Sequence, residues 1–161
     1  MKHIDLLRHG KAVSPRGRDD HERELAPQGA RDAHHMGEWM AARGPLPERV
    51  LVSSARRTRE TFERWCMGAR WDGTPEFDED LYLASSLEIS KRIAALDDRL
   101  DRVMIIGHNP GLEMIVRELT GASIMMATST VSSMTSDVNS WHFAVGRETC
   151  ELLETYTPDR S

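Results

Sequence analysis

Val103-Met104-Ile105-Ile106 carries four apolar side chains in succession. Successive side chains on a strand point to opposite faces. A run without alternation therefore needs cover on both faces, as a central strand in a parallel sheet does. The residues after it are equally restrictive. Gly107-His108-Asn109-Pro110 reads as a turn, with Asn109 as an N-cap and Pro110 in the first helical turn. Leu112, Ile115, Val116 and Leu119 then recur at helical spacing.

The same strand–turn–helix unit recurs upstream. Ile4-Asp5-Leu6-Leu7 reads as a short strand, and residues 11–23 as a polar loop marked by Ser14-Pro15 and Arg16-Gly17-Arg18. Residues 27–43 read as a helix with Ala30, Ala33, Gly37, Met40 and Ala41 as its buried stripe, stopped by Gly44-Pro45. Residues 50–53 form the next strand, and Ser53 or Ser54 is placed to cap the helix behind it. Along that helix Arg57, Thr61 and Trp65 stand four apart. A further helix is expected over 87–100, with Ile89, Ile93, Leu96 and Leu100 inward. Beyond Thr128 the pattern changes, and 131–135, 141–145 and 150–156 read as strands at hairpin spacing. The fold class expected is α/β: a three-layer, mostly parallel sheet flanked by helices, with a β-rich C-terminal segment, forming a single domain over 1–161.

Composition narrows the function classes. A chain of 161 residues buries roughly 68–70% of its unfolded surface and needs no disulfide or metal to hold it together. Its 39% hydrophobic and 29% charged residues exclude a disordered, collagen-like or disulfide-scaffold chain. No apolar run approaches the ~18 residues of a membrane span. The net charge of −5 argues against general nucleic-acid binding and against a polybasic membrane surface. Cys66 and Cys150 form no C-x-x-C pair and read as reduced thiols. Met1-Lys2-His3 leads at once into a strand and leaves no room for a signal peptide, so a soluble cytoplasmic protein is expected.

Three chemistry-bearing segments occupy one position in this scheme. Arg8-His9-Gly10, Ser53-Ser54-Ala55-Arg56-Arg57 and Gly107-His108-Asn109-Pro110 each follow a strand. Ligands of open parallel sheets bind outside the carboxyl ends of the strands. Two histidines and two or three arginines thus converge on one pocket. Arginine forks match phosphate oxygens and stay charged, and helix N-termini favour anions. A histidine among arginines has its neutral form favoured, and a neutral imidazole can attack phosphorus and carry the phosphoryl group. A second histidine, if protonated beside the anion, would stabilise charge building on the phosphoryl oxygens.

Singly, these features read blandly: a strand-end histidine is usually a satisfied surface group, and Arg56, Arg57 and Arg59 could be a solvated helix face. Their conjunction in order on successive elements reverses that. Other features fall short of a site. His34-His35 with Glu38 has a metal-ligand spacing but lacks the three or four ligands a metal needs. Met125-Met126 reads as core or loop, and the four tryptophans show no base-stacking stripe. There is no G-x-x-x-x-G-K-[ST] or G-x-G-x-x-G loop, so no nucleotide cofactor is expected.

Together these residues resemble the histidine phosphatase superfamily, the phosphoglycerate-mutase-like family. Its R-H-G hallmark matches Arg8-His9-Gly10, its S-x-x-x-R-x-x-x-T pattern matches Ser53, Arg57 and Thr61, and its late histidine matches His108. Within it the chain is similar to the small SixA-type phosphohistidine phosphatases. The compact length, Gly107-His108-Asn109-Pro110-Gly111, the segment Arg23-Glu24-Leu25-Ala26-Pro27-Gln28-Gly29 and Asp80-Leu81-Tyr82-Leu83-Ala84 carry that similarity. The resemblance implies His9 as the phosphorylated nucleophile and Arg8, Arg57 and His108 as holders of the phosphoryl oxygens. It implies further phosphate or substrate contacts at Gly10, Arg23, Ser53 and Asn109, with no metal and no cofactor. Larger members place a proton-donating acid in an L-x-E context, and here that register falls on Leu83, with Asp80 the possible acid nearby and Glu79 beside it. An alkoxide leaves poorly without a proton, whereas a phosphohistidine P–N bond is more labile. The expectation is therefore a metal-independent phosphatase acting on a phosphorylated protein such as a histidine phosphotransfer domain. The rivals are a phosphomonoesterase for a small metabolite, a sugar phosphate or phosphoglycerate, and a weakly active phospho-ligand binding module.

Overall fold

The computed structural model describes residues 1–159. Six strands, β1 (Lys2–Arg8), β2 (Arg49–Ser53), β3 (Pro75–Asp78), β4 (Arg102–Gly107), β5 (Val131–Ser136) and β6 (Glu151–Tyr156), form one sheet in the order β3-β2-β4-β1-β5-β6. The first four in that order run parallel; β5 is antiparallel to β1, and β6 to β5. Helices α1 (Pro27–Arg43) and α2 (Arg56–Ala69) cover one face, and α3 (Ser86–Ala94), α4 (Gly111–Thr120) and α5 (Trp141–Ala144) the other.

The apolar run 103–106 accounts for this layering. β4 lies between β2 and β1, and its side chains divide by parity. Val103 and Ile105 pack with Ile4, Leu6, Leu112 and Ile115, while Met104 and Ile106 pack with Leu7, Val52, Met36 and Trp65. Both faces are dry, as the lack of alternation requires.

The sequence expectations need correcting at several elements. Residues 141–145 are not a strand. Trp141 and Ala144 are buried and His142 and Phe143 exposed, which is helical spacing, and the Ser140 hydroxyl accepts from the His142 N–H at 3.3 Å. The helix expected over 87–100 stops at Ala94, because the Asp97 carboxylate takes the Arg99 N–H and pulls the chain into a turn. In α1 the inward stripe is Ala33, Met36, Gly37 and Met40, while Ala41 is exposed and Ala30 half-buried. The edge strand β3 is only four residues and begins with proline, so it carries almost no strand signal. The helices behind β2 and β4 begin on Ala55 and Pro110, without a side-chain cap. Ser53 and Asn109 are engaged elsewhere. No described helix is long and apolar enough to cross a membrane.

Candidate active site

Strand register brings the histidines together. Arg8 pairs with Gly107 across β1 and β4, so His9 and His108 come next side by side, with ring centroids 5.3 Å apart. The chain at His9 is pinned on both sides. Its N–H donates to the Gly107 carbonyl at 3.2 Å, and its carbonyl accepts from the Ser129 N–H at 3.0 Å. One residue earlier on the neighbouring strand, Val52 pairs with Ile106, which sets Ser53 beside Gly107. Arg57 then lies in the first turn of α2. The result is a cavity of about 440 Å³ lined by Arg8, His9, Asp20, Arg23, Arg57 and His108 among others.

The two imidazoles have different hydrogen-bond assignments. His9 Nδ1 lies 2.7 Å from the Gly10 carbonyl, which can only accept. Nδ1 therefore carries the proton, and Nε2 keeps its lone pair. Burial first, then the charges of Arg57, Arg8 and Arg23, push the His9 pKa down to about 4, against the opposing Gly10 contact. His9 is a neutral imidazole with a free nucleophilic nitrogen at neutral pH. In His108 the assignment is reversed. Arg57 Nη2, which can only donate, lies 3.3 Å from Nδ1, and Nε2 lies 2.7 Å from the Ser53 hydroxyl. Nε2 thus carries the proton and Ser53 accepts it. Burial, His9 and Arg57 push His108 to about 3, with Asp20 opposing. In this state Arg57 at Nδ1 keeps His108 neutral, and a protonated His108 is expected only beside a bound anion. An anion drawing Arg57 away would release that nitrogen.

Arg57 is 3% exposed and its buried Nε has no hydrogen-bond partner. Its two Nη groups donate to Asp20, to the carbonyl at 2.8 Å and to Oδ2 at 3.2 Å. A buried guanidinium with an unfilled donor is suited to an incoming oxyanion. Arg8 donates to the Met126 carbonyl at 3.0 Å, and Arg23 to Val13 and Asp20.

No family model matches the chain. An uncharacterized protein of Mycobacterium leprae is 34% identical over 120 residues, 72% of each chain. An uncharacterized chloroplastic protein of Arabidopsis thaliana is 31% identical over 160 residues, covering 89% of this chain and 70% of its own. The solved structure assigned to SixA of Nakamurella multipartitia superposes with a TM-score of 0.83 at 25% identity, covering 98% of this chain and 96% of that one. The chain belongs to the histidine phosphatase superfamily. Its fold is equally similar, at a TM-score of 0.83 and 23% identity, to a protein histidine phosphatase SixA complexed with tungstate, with 96% of each chain covered. The superfamily's phosphatases are hydrolases, and this chain has their fold throughout.

Several site assignments change once the histidine phosphatase fold is in view. Ser53 does not line the cavity: it is fully buried and its hydroxyl holds His108. Gly10 does not offer its N–H to a phosphate, because Thr61 Oγ1 accepts it at 3.0 Å. What Gly10 supplies is clearance, since a Cβ there would lie 2.8 Å from the Gly29 carbonyl oxygen. Asn109 lines the cavity, with its amide donating to Glu113 and the Met126 carbonyl. Asp80 is exposed and outside the lining, while Leu83 is part of the lining and is 56% exposed. Sequence reasoning gives no role to two residues of the site, Asp20 and Tyr82. The Tyr82 hydroxyl donates to Asp20 Oδ2, and its ring lies edge-on to His108 at 5.6 Å. In the sequence Asp20 stands in a polar loop with nothing to separate it from Asp19. Elsewhere, His34 pairs with Glu38 at 2.9 Å on exposed helix surface, and among the described residues no cluster of three or more His, Cys, Asp or Glu could hold a metal.

Proposed function

We propose that this histidine phosphatase hydrolyses phosphohistidine on a protein, through a phosphoryl intermediate on His9 Nε2. The observation that carries the reading is the Nδ1–H bond from His9 to Gly10, which leaves Nε2 as an unprotonated nucleophile inside an arginine-lined cavity. The phosphoryl group seats on Arg8, Arg57 and Arg23, whose charges offset its own without needing a metal. His9 Nε2 attacks phosphorus in line with the leaving nitrogen. His108, released at Nδ1 as Arg57 turns to the phosphoryl oxygens, gains a proton and stabilises the transition state. Water then attacks the phosphohistidine intermediate and releases inorganic phosphate.

Two observations favour an imidazole leaving group. Leu83 lines the cavity and is exposed, which leaves the mouth unroofed, so a histidine on a protein surface can reach in. The fold similarity to SixA points the same way. The test is a metal-free assay of a phosphorylated histidine phosphotransfer domain beside a panel of sugar phosphates and phosphoglycerate. Preference for the phosphoprotein is expected. Preference for one small ester would keep the nucleophile and overturn the substrate. His9→Ala should abolish both turnover and phosphoenzyme labelling; retained activity would sink the mechanism.

A further inference from the structure

The residues that line the cavity include one carboxylate. Asp20 reaches it from the segment before α1, far in sequence from Leu83. Its contacts are all to the site itself. Oδ1 accepts from Arg23 Nη1 at 3.1 Å, and Oδ2 accepts from Arg57 Nη2 at 3.2 Å and from the Tyr82 hydroxyl. The same Arg57 nitrogen is 3.3 Å from His108 Nδ1. Asp20 therefore stands where a substrate anion would compete, on two of the arginines a phosphoryl group needs.

Resting on the proposed histidine phosphatase reading, we infer that Asp20 is the proton carrier of this active site, held on Arg57 and Arg23 in the empty state and released by the incoming phosphoryl group. The Tyr82 hydrogen bond first, then Arg23 and Arg57, hold the empty-state carboxyl down at about 2. Once the phosphoryl oxygens take the two guanidinium groups, Asp20 faces a dianion instead of two cations. Its affinity for a proton rises, and it takes one from water as the substrate seats. In the first step the P–N or P–O bond breaks, its electron pair goes to the leaving atom, the Asp20 proton follows it, and the P–Nε2 bond to His9 forms. In the second step water attacks phosphorus, its proton returns to Asp20, and the electron pair of the P–Nε2 bond returns to His9. The donor is restored and no other reactant is needed.

The groups facing this carboxyl are Tyr82, Arg57 and Arg23, with His108 beyond Arg57 and His21 next in the chain. His21 meets the Tyr82 ring edge-on at 4.8 Å, with its Nε2 on the Ser54 hydroxyl at 2.9 Å. Tyr82 is a positioning residue, since it acts on the carboxyl and not on the reacting atoms.

The test is Asp20→Asn, read as kcat/KM on an alkyl phosphate and on 4-nitrophenyl phosphate, whose leaving group needs no proton. General acid catalysis contributes about 10²–10⁴-fold. A loss of about 10²-fold is expected on the alkyl ester, against roughly threefold or less on the nitrophenyl ester. Labelled phosphoenzyme should accumulate from the nitrophenyl ester, because its hydrolysis has lost its base. Equal losses on both esters would show a merely structural role, and no loss on either would show no role; each overturns the inference. Tyr82→Phe leaves the carboxyl and removes one of its donors. It should move the alkaline limb of the alkyl-ester profile to higher pH, and an unmoved limb would count against Asp20. Phosphoenzyme on His9 in the Asp20→Asn protein keeps the two readings separable. If His9 never labels, the histidine mechanism fails first.

Discussion

At the residue scale, the S-x-x-x-R spacing has a physical purpose. Ser53 ends β2 and Arg57 lies in the first turn of α2, and between them they hold both ring nitrogens of His108. A strand end and a helix start four residues apart grip one imidazole from two sides. The grip fixes the tautomer, Nε2–H toward Ser53, and leaves Nδ1 as the nitrogen that can gain a proton. Ser53→Ala removes the acceptor and leaves a buried N–H unpaired. A net hydrogen bond of this kind is worth about 0.5–1.5 kcal/mol, so kcat/KM should fall by about two- to tenfold. Nitrogen chemical shifts of His108 should show the two tautomers mixing in that variant. A wild-type kcat/KM with an unmixed tautomer would mean Arg57 alone orients the ring.

At the element scale, legibility in the sequence depends on whether a signal is local. The 103–106 run, the 27–43 helix and the Leu112–Leu119 stripe are legible because their periodicity is complete within the segment. The histidines and Arg57 are legible because topology sends every parallel strand end to one edge. Asp20 and Tyr82 are not, because they meet only after the loop before α1 and the turn after β3 fold against each other. The segment at Trp141 misleads for a related reason. Its alternation imitates a strand, but the indole anchors it: Trp141 is fully buried, and Nε1 donates to the Asp97 and Leu100 carbonyls at 3.1 and 3.0 Å. Trp141→Ala should cost about 3–5 kcal/mol, the range for losing a large buried aromatic, read from the denaturant midpoint. Since α5 covers the face away from Arg57 and His9, kcat of the folded variant should stay near wild type. A collapse in kcat without loss of stability would place α5 in the site.

At the scale of the whole molecule, the site sets the acid side of the stability curve. His9 and His108 titrate at about 4 and about 3 in the folded chain, against 6.5 when free. Below 6.5 the unfolded chain binds protons that the folded chain refuses, so folding weakens as pH falls through that window and is insensitive to both groups above it. Asp20 acts lower down. Held ionised to about 2 against 3.8, it adds stability that is present above 3.8 and disappears as pH falls toward 2. Asp5 works the other way, because burial raises its carboxyl above the ordinary value, and protonating it relieves the folded state. Two histidines outweigh one carboxyl across the upper part of the range. The Tm should therefore decline steadily from pH 6.5 to pH 4. A bound oxyanion such as tungstate gives His108 a partner for its charged form and stabilises the folded state by mass action. It should raise the Tm most at the acid end and flatten the decline. Calorimetry across that range, with and without the anion, reads both effects. A Tm that stays level from pH 6.5 to pH 4 in the empty protein would mean that burial does not hold the two imidazoles neutral in the folded chain.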